Sequence, residues 1–173
     1  MKLDNDSIEL QKVNENIYQL LCEKKKLQFW TPDLRMPFGV DSEYGKYVAR
    51  LELLKPDERQ ETYFIKIIRK IEDIIKRKLN LQDIEFKSSI RVREKYNPQI
   101  ETQLKKVKNS FITEVEYEDT DTHYLKTVLE IPKNSVIKGL MEIYGIWDYR
   151  EEGNVMKNKV GLIIYINKIV VKK

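Results

Sequence analysis

One cysteine, Cys22, and one histidine, His123, stand in 173 residues. A lone cysteine excludes an internal disulfide framework, and so few soft ligands exclude a zinc site of the usual Cys/His kind. No apolar run approaches the roughly 18 residues that span a bilayer. The stretch from Met1 to Leu10 is too polar and too acidic for a signal or transit peptide, so a soluble, intracellular protein of a reducing compartment is expected. Glycine and proline are scarce, at six and five residues. No P-loop, G-x-G-x-x-G, G-x-S-x-G or H-E-x-x-H pattern is present, which removes the motif-borne enzyme classes. Alanine occurs once, Ala49, beside 20 isoleucines and 24 lysines against eight arginines, as an A/T-rich coding sequence produces.

What is present suffices for one domain. The chain is 41% apolar and 35% charged, and a chain this long buries roughly two-thirds of its unfolded surface. Its net charge is +4, from 32 Lys+Arg against 28 Asp+Glu, but the distribution matters more. Residues 1–23 carry a net −3, residues 84–113 a net +4, and residues 114–122 turn acidic again with Glu114, Glu116, Glu118, Asp119 and Asp121. The last twenty residues hold five lysines and no acid. Two basic stretches of this kind suit a polyanionic partner.

The apolar spacing of Leu10, Val13, Ile17 and Leu20/Leu21 behind Asp6 and Ser7 predicts an N-terminal helix over residues 1–26, ending in Lys24, Lys25 and Lys26. Leu27 to Trp30 is a short apolar piece, and Thr31 to Gly39 an ordered loop. Lys46 to Leu54 alternates as a strand does, and Lys55-Pro56-Asp57 stops it. Phe64, Ile67, Ile68, Ile71, Ile74, Ile75 and Leu79 form one stripe of a helix over 61–79. Its other side bears Lys66, Lys70, Lys76, Arg77 and Lys78 with Glu72 and Asp73, which reads as a solvated face. Beyond residue 80 strands and turns follow: 84–93 with one apolar and one basic face, a break at Pro98, then 100–107 (which also fits a short helix capped by Asn97-Pro98), 111–117, 124–131, 137–149 and 159–171. The last two are joined by a turn at Glu151 to Asn154.

Reactive groups do not converge. Glu114, Glu116, Glu118, Asp119, Asp121 and His123 could ligate Mg²⁺, but acids running into a turn read as solvated. Cys22 reads as a small buried hydrophobe. Single-strand nucleic-acid binding asks for less: cations along the phosphates and aromatic faces for the bases. The candidates are Lys87, Arg91, Arg93, Lys95, Tyr96, Lys105, Lys106, Lys108, Tyr144, Trp147, Tyr149 and Lys157. Trp147 shares a strand face with Met141, Ile143 and Tyr149, which favours a core tryptophan over a stacking platform.

The run from Trp30 to Val40, with Pro32, Pro37 and Gly39, is followed by a strand and a helix. Ser88 to Arg91, Asn97-Pro98, and Lys138-Gly139 to Trp147 opposite Val160-Gly161-Leu162 come after them. This succession, over residues 27–171, resembles the OB-fold single-stranded-DNA-binding proteins of large double-stranded-DNA viruses and phages. The resemblance implies an α+β, mainly β chain: an OB-like Greek-key β-barrel over 27–173, with an inserted helix and the N-terminal helix outside it. It implies a replication, recombination or repair factor that coats single strands without cutting them, needs no cofactor or metal, and meets single-stranded DNA and replication proteins. A homo-oligomer would fit; a membrane would not. The acidic tail common in such proteins is not seen here, where the sequence ends Lys172-Lys173. Either the tail is missing from this sequence or recruitment uses another surface, for which the acidic N-terminal helix is a candidate. An RNA-binding module, a structural or assembly protein with an acidic partner, and a metal-dependent nuclease are the rival readings.

Overall fold

The computed structural model describes residues 2–118, 127–154 and 158–172. Its N-terminal residues form a hairpin in place of the expected helix. Ile8–Lys12 (β1) pairs antiparallel with Ile17–Cys22 (β2), Ile8 opposite Cys22. Asn14 decides this locally: its side chain accepts the Asn16 N–H at 2.9 Å, and asparagine favours such turns over a helix interior. Ile8 and Leu10, like Leu20 and Cys22, also obey a period of two, so one sequence fits both patterns.

Eleven of the remaining strands frame one α-helix among the described residues: Lys25–Trp30 (β3), Leu34–Met36 (β4), Val40–Glu43 (β5), Lys46–Leu53 (β6), Arg59–Lys78 (α1), Phe86–Lys87 (β7), Ile90–Arg93 (β8), Tyr96–Leu104 (β9), Lys106–Val107 (β10), Ser110–Phe111 (β11), Glu114–Tyr117 (β12) and Ser135–Asp148 (β13). The last strand is Val160–Val171 (β14). The expected strand over 84–93 is interrupted. Asp83–Glu85 is a 3-10 turn with Ile84 exposed, and Val92 points outward because β8 shifts register against β9 between Arg91 and Arg93. Pro98, expected to break the ladder, lies inside β9 at that irregularity, where a residue without an N–H breaks no ladder bond. Thr31 to Gly39 contains β4; of the strand expected over 124–131, residues 124–126 lie outside the described residues and Val128–Glu130 is a 3-10 turn.

Two compact units are built from interleaved segments. The first comprises Gln28–Phe64, Ile90–Glu142 and Ile164–Lys173 and holds a closed five-stranded barrel. Its strands run β13-β4-β6-β9-β14, and β14 returns to β13. Neighbours are antiparallel in β13–β4, β4–β6 and β6–β9, whereas β9 and β14 are parallel. This is an OB-like barrel within a mainly β fold, 51% strand. Leu34, Met36, Ala49, Leu51, Leu53, Ile100, Ile137, Met141, Ile166 and Ile169 fill it and are inaccessible to solvent.

The second unit comprises the chain up to Leu27, Ile65–Ser89 and Ile143–Ile163. There β2 lies against β13, and β7 runs parallel to β14. The inward stripe of α1, Ile68, Ile71, Ile74 and Ile75, is fully buried, each side chain contributing about 1.5–3 kcal/mol. Glu72 was expected on the solvated side, yet it is buried and accepts hydrogen bonds from Ser88 Oγ at 2.9 Å and the Ser89 N–H at 2.7 Å. It thus pins the chain that follows the helix. Glu72→Ala strands both donors and is expected to lower stability by about 3 kcal/mol in urea unfolding. A loss under about 0.5 kcal/mol, the ordinary surface value, would show that these bonds hold nothing.

Candidate nucleic-acid interface

In the barrel unit, β5 turns into β6 through Tyr44 and Gly45, at φ of 49° and 76°, with Glu43 opposite Lys46. Two left-handed residues make the tight hairpin whose twist matches that of its strands. The turn leaves Tyr44 wholly exposed at its tip. Three residues on, Tyr47 meets Phe111 edge to face, with ring centroids 4.8 Å apart at 84°. Phe111 comes from the small β10–β11 ribbon, where Lys106 faces Phe111 and Lys108 takes a left-handed φ of 54°.

The Lys106 ammonium lies 5.0 Å from the Tyr47 centroid and 5.6 Å from that of Phe111, and donates to Tyr47 Oη at 3.4 Å. It is held by rings and a hydroxyl, with no carboxylate among the described residues. Beside this cluster opens a cavity of about 560 Å³ lined by Tyr47, Lys106, Phe111 and Val128 and also by the carboxylates of Glu114 and Glu116, the latter paired with Lys168. Aromatic faces, a phosphate-ready ammonium and room for a base meet at one point.

The basic residues expected to act together are divided. Arg93, Lys95 and Tyr96 are exposed around the β8–β9 turn, whereas Lys105, Lys106 and Lys108 follow the far end of β9. Tyr96 and Leu104 stand eight residue steps apart along the strand, about 27 Å. Between them lies an ion-pair network. Glu101 receives Arg91 at 2.8 Å and Arg50 at 3.6 Å, and Arg50 also meets Asp41 at 3.4 Å and Glu43. The hydrogen bond to Glu43, above all, holds the Arg50 guanidinium more firmly charged than usual. Arg91 is therefore already paired. Lys105 is engaged as well: it is 3.2 Å from the buried Glu142 and 4.4 Å from the Tyr165 ring centroid. Gln28 and Asn167 also donate to that carboxylate, at 3.4 Å each.

In the second unit Trp147 is half-buried. A Cβ on Gly161 would come within 2.4 Å of the indole, so a side chain there would displace the ring. Tyr149, 5.8 Å away between centroids, is about half exposed, while Tyr144 is half-buried and Lys87 exposed. Arg150 is taken by Asp148 at 2.8 Å. Burial works against the Asp148 charge, but the bonds from Arg150 outweigh it and keep the carboxyl below its ordinary range. Lys157 lies outside the described residues.

Tyr44, Tyr47 and Phe111 were not anticipated from the sequence. The local signal is Tyr44-Gly45 just before the alternating run Lys46 to Leu53, where the glycine supports a tight turn with an exposed tip. Of the acids weighed as metal ligands, Glu116 is paired with Lys168 at 2.6 Å and Glu118 with Lys172 at 2.9 Å. Asp119, Asp121 and His123 lie outside the described residues. Among the described residues no three acids, histidines or cysteines come together as a metal-holding group, and no helix is long and apolar enough to cross a membrane.

The barrel and its flanking hairpins thus define an OB-like β-barrel protein. No protein-family model and no curated protein sequence matches the chain. Among solved structures it is similar to the single-stranded DNA-binding protein from bacteriophage Enc34 in a C-terminally truncated form. That match has 14% identity and a TM-score of 0.54, over 97% of this chain and 96% of that one. It is similar also to the Enc34 protein in complex with ssDNA, at 13% identity and a TM-score of 0.52, over the same 97% and 96%. At these identities the likeness establishes the fold.

Proposed function

We propose that this protein binds single-stranded DNA with little regard to sequence and acts in DNA replication, recombination or repair, coating strands without cutting them. The observation that carries the reading is the Tyr47–Lys106–Phe111 cluster beside the exposed Tyr44: stacking surfaces and an ammonium without an acidic partner among the described residues, at one end of an OB-like barrel. A single strand offers what such a surface recognises, unpaired base faces and phosphates, whereas a duplex hides its base faces. Arg93, Lys95 and Tyr96, at the other end of β9, form a second point along the same unit. Arg91 and Lys105 serve the barrel's internal ion pairs, and Tyr149 is the better exposed aromatic of the second unit. The Enc34 protein caught with ssDNA supports the choice of ligand.

Competition against a labelled oligo-dT tests the reading. Unlabelled single-stranded DNA is expected to displace the label at concentrations at least tenfold below those needed by duplex of the same sequence. Equal displacement by duplex would contradict it, and preferential displacement by RNA of the same sequence would turn the reading to an RNA-binding module.

A further inference from the structure

Helix α1 carries a surface that the interface above does not use. Between Ile65 and Lys78 Ile68, Ile71, Ile74 and Ile75 are buried, Ile65 and Ile67 half-buried, and Lys66, Arg69, Lys70, Arg77 and Lys78 exposed. None of the five has an acidic partner among the described residues. The one exposed acid in this segment, Asp73, is 3.6 Å from Lys76. Residues 65–78 carry six cations against Glu72 and Asp73, a net +4, as much as the whole chain. Elsewhere many cations are spent internally, as Arg50, Arg91, Lys105, Lys168 and Lys172 are. At 3.6 residues per turn, Lys66, Arg69, Lys70 and Arg77 fall within about 100° of arc, and Lys66 and Arg77 stand about 16 Å apart along the axis.

The chemistry of the rest of the face selects among polyanions. Between residues 65 and 78 no large hydrophobic side chain is exposed among the described residues, and the one exposed ring of α1, Tyr63, stands one turn before Lys66 at the start of this face. A protein interface of ordinary size has an apolar centre, and a helix lying in a lipid surface presents its apolar stripe to the lipid. Here that stripe is buried in the unit's own core. A phosphate backbone asks only for charge. We propose that the Lys66, Arg69, Lys70 and Arg77 face of α1 is a second nucleic-acid contact, one that grips the backbone phosphates of single-stranded DNA and touches no base. This rests on the single-strand reading and adds to it a surface that supplies affinity and salt dependence but no stacking.

The test is a combined Lys66→Gln, Arg69→Gln, Lys70→Gln, Arg77→Gln variant, titrated with oligo-dT over a series of salt concentrations beside the wild type. Glutamine is a good helix former and the buried stripe is untouched, so the melting temperature is expected to hold. The plot of log affinity against log salt is expected to become shallower by about 0.7 per lost phosphate contact, up to about 3 for four. Should the fourfold variant lose its fold, Lys66→Gln, Lys70→Gln gives the same comparison with an expected change of about 1.4. A charge-preserving Lys66→Arg, Lys70→Arg protein should keep the wild-type slope. A neutralised variant that keeps the wild-type slope, while the wild type binds, overturns the helix contact and leaves the single-strand reading standing. Unchanged oligo-dT binding, with loss of binding to anionic phospholipid vesicles or to polyglutamate, would assign the face to another polyanion and equally overturn it. A wild type that does not bind oligo-dT overturns both.

Discussion

Gly145→Ala is expected to be the most damaging single-methyl change in the chain. A Cβ at this position would lie 1.9 Å from the Tyr18 carbonyl oxygen, 2.9 Å from its carbonyl carbon and 3.0 Å from the Gln19 Cα. All three are backbone atoms, so no rotamer change relieves the clash. Only parting β2 from β13 at the Gly145–Gln19 pair does so, and that opens the ladder from Gln19 to Ile17. A loss of about 4 kcal/mol or more in urea or thermal unfolding is expected, in the range reserved for strain that packing cannot absorb. Gly45→Ala is the control. Nothing lies within 4 Å of its Cβ, and only the φ of 76° opposes the side chain, so about 1–2 kcal/mol should be lost. Equal effects at the two glycines would show that β2 and β13 do not approach so closely.

The largest expected effect on binding belongs to the double variant Tyr44→Ala, Phe111→Ala. Tyr44 is wholly exposed and Phe111 half-buried on a two-residue strand, so little folding energy depends on either. If both rings carry bases, their loss should remove about 2–6 kcal/mol of single-strand affinity, at about 1–3 kcal/mol per stacked base. That is roughly thirtyfold at the least, measurable by anisotropy of a labelled oligo-dT. The loss should persist at every salt concentration, because stacking releases no counterions, and this separates it from the loss of cations on α1. Unchanged affinity in a folded double variant would move the interface away from the β5–β6 hairpin. Tyr96→Ala in parallel reports whether the far end of β9 takes part.

Elements whose period admits one interpretation were legible in the sequence. The isoleucine stripe gave α1, and the long apolar runs gave β13 and β14, nearly to their ends. The N-terminal segment was not legible, because Leu10, Ile17 and Leu20 satisfy the spacing of a helix and of a hairpin. An asparagine turn, together with pairing to β13, decides between them. Charge was legible as composition but not as availability. Whether Arg91 is free depends on the β8–β9 register that sets it beside Glu101, and whether Lys105 is free depends on Glu142, 37 residues away. Trp147 illustrates the same limit. Its strand could be read from the sequence, but the Gly161 beneath its indole is a matter of how β13 and β14 meet. Tyr44 is the opposite case, since a local hairpin signal alone places it at an exposed tip.

On the reading proposed above, cations without acidic partners among the described residues and aromatic faces on this OB-like fold hold a single strand. The most direct test of that reading is equilibrium titration of a labelled oligo-dT with the wild-type protein from low to high salt. Affinity is expected to fall linearly on logarithmic axes, with a slope of about −0.7 for each phosphate neutralised, and to leave a residual base-stacking component at high salt. An affinity that stays level across the series, or no binding at low salt, would contradict the account.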